Sequence, residues 1–148
     1  MHDFQPPFDQ ASGIPFRTIG CRTELCLITS ARKRRWGFPK GYIENGDNFT
    51  LTALREAYEE AGVAGRVLGD LLGSYYYRKR GKRLHVAVTL LHVTRCEQVW
   101  PEMHRRDRVW VEAEEAQRMI SRRDFREVLG VAIQRIHLFG DFNTAAAS

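Results

Sequence analysis

Apolar positions along the chain recur at the spacing of strands and predict a sheet with several members. Runs rich in branched and aromatic residues, bounded by turn residues, predict strands at residues 16–21, 24–31, 67–77, 84–93 and 108–111. The run at 84–93 is apolar on both faces, which is typical of a strand that is covered on both sides. The sequence therefore predicts a sheet with other elements packed against both of its faces.

Three further segments have apolar residues at three- and four-residue steps, which indicates helices. The first follows Thr50 or Thr52, either of which is a suitable N-cap, and it ends at Gly62. The other two are predicted at residues 112–120 and 125–139. The predicted apolar face of the first helix consists of Leu51, Leu54, Ala57 and Tyr58.

These elements predict one domain of the α/β (α+β) class, with a mixed β-sheet flanked by helices. The domain is expected at residues 14–140, where Gly140 closes the last helix. Residues 1–13 are polar and contain two prolines, so we expect a flexible N-terminal arm. Residues 141–148 are small and polar, and we expect a flexible tail there.

Composition narrows the classes of function. The 148 residues include 23 Lys and Arg against 18 Asp and Glu, and this net charge of +5 favours phosphate-bearing partners. Three cysteines without a CxxC pair exclude a disulfide framework and indicate a reducing compartment. No apolar run is long enough for a membrane span and no secretory signal is evident, so we expect a cytoplasmic protein without a membrane partner.

The segment at residues 41–63 carries the candidate chemistry. Glu56, Glu59 and Glu60 are spaced so that their carboxylates converge on one face of the first helix, where they repel one another. Hard carboxylate oxygens suit a divalent ion such as Mg²⁺, Mn²⁺ or Ca²⁺, and Arg55 offsets part of the charge. Taken alone, the triplet is more typical of a solvated acidic surface than of a metal site.

The whole segment resembles the Nudix box, G-x5-E-x7-R-E-U-x-E-E-x-G-U, where U is a bulky aliphatic residue. Two positions depart from the pattern, since Asp47 replaces the first Glu and Ala57 replaces a larger residue. A fixed pattern of this length is a specific signal. The matching positions are Gly41, Arg55, Glu56, Glu59, Glu60, Gly62 and Val63.

The resemblance implies an α/β/α sandwich and a Mg²⁺- or Mn²⁺-dependent pyrophosphohydrolase. Glu56, Glu59 and Glu60 would hold one to three ions, together with the backbone carbonyl of Lys40. Arg55 would support catalysis, and the general base would be Glu59 or Glu60 in the box, or Glu102 in a later loop. The structural positions of the box would be Gly41, Asp47 and Gly62.

Three basic clusters outside the box point to a highly anionic small-molecule substrate. They lie at residues 32–35, 78–83 and 105–108. The surroundings of the box are similar to the diphosphoinositol polyphosphate phosphohydrolases, whereas Pro39-Lys40-Gly41 resembles the diadenosine tetraphosphate hydrolases. The resemblance and the clusters together give the expected substrate-binding residues Arg17, Arg32, Arg34, Arg35, Lys40, Arg83 and Arg106.

Two other readings of the sequence stay open. The first is a Nudix hydrolase of oxidised nucleoside triphosphates or of an RNA 5′-pyrophosphate, since basic clusters also suit an RNA end. The second is a non-catalytic Nudix ligand sensor, which the intact glutamates at positions 56, 59 and 60 argue against. No DNA partner is expected, and the chain is expected to be a monomer or a homodimer.

Overall fold

The structure is a computed structural model that describes the backbone of residues 8–147 and the side chains of residues 8–140. Four strands, a helix, three strands and two helices follow one another along the chain, an order typical of an α+β domain. The elements are β1 (Gln10–Ile19), β2 (Arg22–Thr29), β3 (Trp36–Gly37), β4 (Lys40–Tyr42), α1 (Phe49–Ala61), β5 (Val63–Lys79), β6 (Lys82–Cys96), β7 (Arg108–Glu112), α2 (Ala113–Met119) and α3 (Arg123–Ala147).

Seven strands form one mixed sheet, in the order β3-β2-β1-β6-β5, with β4 paired to β1 and β7 paired to β2. The β1–β6 pair is parallel, and the other strand pairs are antiparallel. β5 and β6 form a long hairpin whose turn contains Arg80 and Gly81, both with positive φ. This topology confirms the predicted mixed sheet.

Each face of the sheet buries its own apolar cluster, which confirms the predicted sandwich. Ile14, Phe16 and Leu27 face α2 and α3, where they meet Leu129 and Ile136. On the opposite face α1 packs through the small residues Ala57 and Ala61 against Cys26, Leu91 and Val93. Because Ala side chains are short, α1 lies close to the sheet, and its polar groups stay near β1 and β4. No described helix is both long and apolar enough to cross a membrane.

The predicted boundaries at both ends of the domain are corrected by the structure. Residues 10–13 were assigned to the N-terminal arm of residues 1–13, but β1 begins at Gln10. They are buried because they pair with β6 on one side and β4 on the other. Residues 1–7 lie outside the described part of the chain. At the other end, α3 continues past Gly140 into the predicted tail as far as Ala147.

The start of α1 also differs from the prediction. Asn48 is the N-cap, and its side chain accepts a hydrogen bond of 2.9 Å from the Leu51 backbone N–H. The face predicted as apolar is turned partly outward, since Leu51 is 51% exposed and Tyr58 is 41% exposed. The face that packs against the sheet instead includes Glu60, which is 7% exposed. Burial of a carboxylate at a helix–sheet contact is unfavourable unless something compensates its charge.

Candidate active site

The centre of the site is a pair of carboxylates one helical turn apart on α1. The two side chains are close enough that each carboxyl group influences the pKa of the other. Burial raises the pKa of Glu60 to about 8, and the neighbouring carboxylates of Glu56 and Glu102 add to the rise although Arg106 opposes it. Burial and the charge of Glu59 raise the pKa of Glu56 in the same direction. The pair therefore favours a positive partner.

Gly41 makes room for the first of these carboxylates. A Cβ atom built on Gly41 would lie inside the Glu56 side chain, 2.8 Å from its Cγ. The backbone N–H of the preceding residue, Lys40, points at Glu60, with 3.4 Å between Lys40 N and Glu60 Oε1. The short strand β4 thus runs directly beneath the carboxylate pair, and only glycine fits at its second residue.

The loop between β6 and β7, residues 97–107, closes over the C-terminal end of α1. The Trp100 indole N–H donates to the Glu60 carbonyl at 3.0 Å, and the Glu102 backbone N–H donates to the Glu59 carbonyl at 3.0 Å. Arg108 donates to the Ala61 carbonyl at 2.8 Å and lies over the Trp100 ring at 4.0 Å. These bonds satisfy carbonyl groups that a helix end leaves unpaired. They also bring the Glu102 side chain to the carboxylate pair.

Arg106 links this loop to the pair. Its Nε donates to Glu102 Oε1 at 2.9 Å, and its Nη1 donates to the Thr29 carbonyl at 3.1 Å. Its Nη2 lies 3.6 Å from Glu60 Oε1, and the Arg106 side chain is only 13% exposed. Three groups on three elements therefore surround one guanidinium.

A second group of cations borders the site around the Tyr77 ring. Lys40 Nζ lies 5.0 Å from the ring centre, and the Arg122 guanidinium carbon lies 4.8 Å from it. The Tyr77 hydroxyl donates to the buried Gln10 side chain at 2.7 Å, which fixes the ring. Burial lowers the pKa of Lys40, and the nearby cations Arg122, Lys79 and Arg106 lower it further although Glu60 opposes them. Positive charge is thus concentrated beside the carboxylates.

Arg55 and Asp47 hold the start of the box. Arg55 Nη1 donates to Asp47 Oδ2 at 2.5 Å, and Arg55 Nε lies 3.9 Å from Glu56 Oε1. The hydrogen bond to Asp47 raises the pKa of Arg55, so its charge is retained. In this arrangement Asp47 orients Arg55, and Arg55 stands beside one member of the carboxylate pair. The carboxylate at position 47 reaches the arginine although it is one methylene shorter than the expected Glu.

The remaining basic residues proposed for substrate binding differ in how exposed they are and in whether they have a partner. Arg34 is held by Asp107 at 2.5 Å, so the loop after β2 rests on the loop before β7. Arg32 and Arg35 are exposed on the first of these loops. Arg83 lies flat on the Tyr76 ring at 3.9 Å, on the β5–β6 hairpin. These four residues are available at the surface, but the structure does not gather them at the carboxylates.

Arg17, which the sequence predicted as a substrate-binding residue, has its partners on the sheet and not at the carboxylates. Its Nη2 lies 2.9 Å from Glu24 Oε1, and its guanidinium stacks on Trp110 at 3.9 Å. The β1–β2 register places Arg17 directly opposite Glu24. We expect this arginine to stabilise the β1–β2–β7 surface, since its charge is already paired.

The oxygen donors of the centre fit a hard divalent ion. Within residues 8–140, no three His, Cys, Asp or Glu side chains are gathered in a geometry that would hold a metal. Mg²⁺ needs fewer protein ligands than that, because it keeps several waters and is often held by one or two carboxylates and substrate phosphates. Glu56 and Glu60 supply two such carboxylates, and the raised pKa of both shows that a cation held there would favour their charged forms.

Several residues of the site were not identified from the sequence. Tyr77 and Arg122 are distant from the box along the chain, and nothing in the local pattern distinguishes Arg122 from the neighbouring Arg123. Gln10 was assigned to the flexible arm. The extension of β1 to residue 10 is the reason that Gln10 and Tyr77 meet. A longer apolar stretch at residues 8–13 would have been the sequence signal for this strand, and it is absent.

Comparison with known proteins gives the family from the sequence and a matching fold from the structure. The NUDIX domain family matches residues 15–135. Nudix hydrolase 18, mitochondrial, from Arabidopsis thaliana is 31% identical over 134 residues, which cover 84% of this chain and 76% of that protein. Diphosphoinositol polyphosphate phosphohydrolase 2 from Mus musculus is 38% identical over 96 residues, which cover 63% of this chain. The chain spans about half of that mouse protein, since the alignment covers 52% of it.

A solved structure with the same fold is that of a C. elegans Ap4A hydrolase in a binary complex. It superposes with a TM-score of 0.76 over 88% of this chain and 98% of that one. The sequence identity is 21%, so the likeness concerns the arrangement of helices and strands.

Proposed function

The chain belongs to the Nudix family of hydrolases, and from that premise we propose that it cleaves a pyrophosphate bond in a polyphosphorylated small molecule with the help of Mg²⁺ or Mn²⁺. One observation carries the proposal. On α1, Glu60 is buried and Glu56 is half-buried, burial raises the pKa of both carboxyl groups, and both stand beside cations from three other parts of the fold. Carboxylates for a divalent ion next to cations for phosphate are the two requirements of this reaction.

The proposed roles follow from position. Glu56 and Glu60 would hold the ion, which when bound neutralises phosphate oxygens and lowers the pKa of a bound water. Glu59 and Glu102 lie at the edge of the pair, where either carboxylate can accept the proton of the attacking water. Arg55 holds the position of Glu56, with Asp47 as its anchor. Lys40 and Arg122 would bind phosphates on the side of the Tyr77 ring.

For the substrate we propose a diphosphoinositol polyphosphate or a diadenosine polyphosphate. Support comes from the number of cations around the centre, since a chain of several phosphates or a phosphorylated ring needs many of them. Within residues 8–140, Lys40, Lys79 and Arg122 form no ion pair with a carboxylate within 4.0 Å, so their charges are available. The names of the mouse relative and of the C. elegans structure point to the same two substrate classes.

The test is a substrate panel with purified protein at saturating Mg²⁺, read as phosphate and nucleotide products. It should contain diphosphoinositol pentakisphosphate, diadenosine tetraphosphate, ADP-ribose, 8-oxo-dGTP and triphosphorylated RNA. We expect the highest kcat/KM for one of the first two compounds. A preference for 8-oxo-dGTP or for the RNA end would keep the hydrolase proposal and reject the proposed substrate. Binding without turnover of any compound would identify a ligand sensor.

The dependence on the carboxylate pair is tested by Glu60→Gln, with Glu114→Gln on the exposed side of α2 as the matched control. We expect Glu60→Gln to lower kcat about 100-fold or more, because a ligand of the ion is lost. Glu114→Gln removes the same charge far from the pair and should retain the rate of the unmodified protein. Similar rates in both variants would contradict the proposed centre.

Glu59→Gln and Glu102→Gln distinguish the two candidates for the general base. The variant that loses the base should lose the acidic limb of the pH–rate profile, whereas the other variant should keep it.

We also propose that the protein acts in a reducing cytoplasm without a DNA partner, as a monomer or homodimer. The cysteine usage supports the compartment, and fractionation of cells with an antibody to the native protein would test it.

A further inference from the structure

Arg106 is positioned independently of the carboxylate that it faces. Its hydrogen bonds to Glu102 at 2.9 Å and to the Thr29 carbonyl at 3.1 Å have ordinary lengths for this donor. The distance of 3.6 Å from its Nη2 to Glu60 Oε1 is longer than a hydrogen bond, so this interaction is electrostatic. The guanidinium would therefore keep its place if Glu60 acquired a different partner.

The surroundings make the Arg106 charge effective at this position. The Arg106 side chain is 13% exposed and the Glu60 side chain 9% exposed, so water screens the interaction little. Glu102 balances part of the Arg106 charge, and its own position is fixed by the backbone bond from Glu102 to the Glu59 carbonyl. A divalent ion held by Glu60 would lie within a few ångströms of this fixed positive charge.

We propose that Arg106 is a resident counter-cation of the Glu56–Glu60 pair, which offsets the negative charge of the pair in the absence of a divalent ion and weakens the binding of that ion. The inference rests on the metal-dependent part of the proposed function. It assigns Arg106 a different role from the substrate contact expected from the sequence. A residue that only oriented Glu60 as a ligand would strengthen ion binding, so the sign of the effect separates the two roles.

The experiment is a titration with Mn²⁺, in which the free ion is followed by its EPR signal in the absence of substrate. Arg106→Gln removes the charge and keeps a polar, though shorter, side chain. Arg105→Gln is the matched control, because Arg105 is an exposed neighbour in the same loop and its loss changes the net charge equally. We expect Arg106→Gln to bind Mn²⁺ about tenfold more tightly than the unmodified protein, and Arg105→Gln to stay within about twofold.

Arg106→Lys keeps the charge but cannot bond to Glu102 and the Thr29 carbonyl while it faces Glu60. Its Mn²⁺ affinity should stay within about threefold of the unmodified value, because the positive charge at position 106 determines the effect on ion binding. Should Arg106→Gln fail to fold, as judged by thermal unfolding in EDTA, Arg106→Met, which also removes the charge, takes its place in the titration with the same expected tighter binding. Weaker binding in either variant, or equal affinity of Arg106→Gln and Arg105→Gln, would overturn the inference.

Glu60→Gln separates failure of this inference from failure of the proposed function. If the unmodified protein binds Mn²⁺ and Glu60→Gln does not, the proposed metal site stands whatever the Arg106 variants show. If Glu60→Gln binds Mn²⁺ as well as the unmodified protein, the ion is held elsewhere, and both the site and the role of Arg106 are rejected.

Discussion

At the scale of single residues, burial decides what the charged and nucleophilic groups of this protein can do. Glu60 is buried beside Glu56 and near Arg106, so its carboxylate lacks the full hydration that an exposed glutamate has. Glu59 is adjacent in the sequence but half-buried, with its backbone carbonyl used by Glu102. The spacing along the chain predicted the same role for the three glutamates of the box, whereas their burial and their partners in the structure differ.

Cys26 provides a test of burial that does not involve the site. Burial raises the pKa of this thiol to about 12, and the charge of Arg108 opposes the rise only in part. At a pH near 8 about one molecule in 10,000 would carry the reactive thiolate. We expect iodoacetamide to modify the exposed Cys21 in the native protein and to leave Cys26 unmodified until denaturant is added.

Mass spectrometry of peptides from native and denatured samples gives the measurement. Cys21 lies in the turn between β1 and β2 and Cys26 lies in β2, so both report on one sample under one condition. Modification of both at similar rates in the native state would contradict the burial of Cys26 under α1.

At the scale of elements, the junction between α1 and β5 joins the fold to the site. Gly62 ends α1 with φ +68°, and a Cβ there would lie 2.8 Å from the Cβ of Trp100 and 2.9 Å from Arg108 Nη1. The same tryptophan and arginine bond to the last carbonyls of α1. A displacement of this junction would therefore move the loop that carries Glu102 and Arg106.

Gly62→Ala and Gly20→Ala separate backbone strain from steric overlap. Both glycines have a left-handed conformation, with φ +62° at Gly20, but nothing lies within 4 Å of a Cβ built on Gly20. We expect Gly20→Ala to lower the free energy of unfolding by about 1–2 kcal/mol from strain alone. Gly62→Ala should lower it by about 3 kcal/mol or more, because overlap with Trp100 is added.

Urea denaturation followed by tryptophan fluorescence measures both variants under identical conditions. The difference between them is the quantity of interest, since it isolates the contact with the loop. An equal loss of stability in the two variants would mean that the loop with Trp100 moves aside without lowering the free energy of unfolding further. The junction would then not fix the position of this loop.

At the scale of the whole molecule, the sandwich brings together cations that lie far apart along the chain. Lys40 comes from β4, Lys79 from the end of β5 and Arg122 from the connection between α2 and α3. Lys40 and Arg122 both lie against the Tyr77 ring, whose hydroxyl group donates a hydrogen bond to Gln10 of β1. Four separate segments thus form the border of the carboxylate centre.

Arg122→Ala tests whether this border binds phosphate, and Arg123→Ala is the control with the same loss of charge. We expect Arg122→Ala to raise KM for diadenosine tetraphosphate about tenfold and to change KM for ADP-ribose much less, because a longer phosphate chain reaches more cations. Steady-state kinetics with both substrates gives the comparison. Equal changes in the two variants would show that only the overall positive field matters.

Local patterns in the sequence predicted five of the seven strands, the three helices and the residues proposed for the chemistry of the site. The strands and helices were predicted because alternation and helical spacing are local properties. The box fixed the carboxylates and the glycines for the same reason, since its residues are neighbours on one loop and one helix. The register of β1 against β6, which carries it back to Gln10, was not predicted because strand pairing joins residues more than seventy positions apart.

Only the tertiary structure decided how the charges are partnered. The sequence predicted the same substrate-binding role for Arg17 and Arg106. In the structure Arg17 pairs with Glu24 on the sheet. Arg106 instead lies between Glu60 and Glu102. The helix face predicted as apolar was partly wrong, because short alanines pack α1 closely and turn Glu60 inward. A charge acts through its distances to other charges and to water, and those distances are set by packing between segments that the sequence keeps apart.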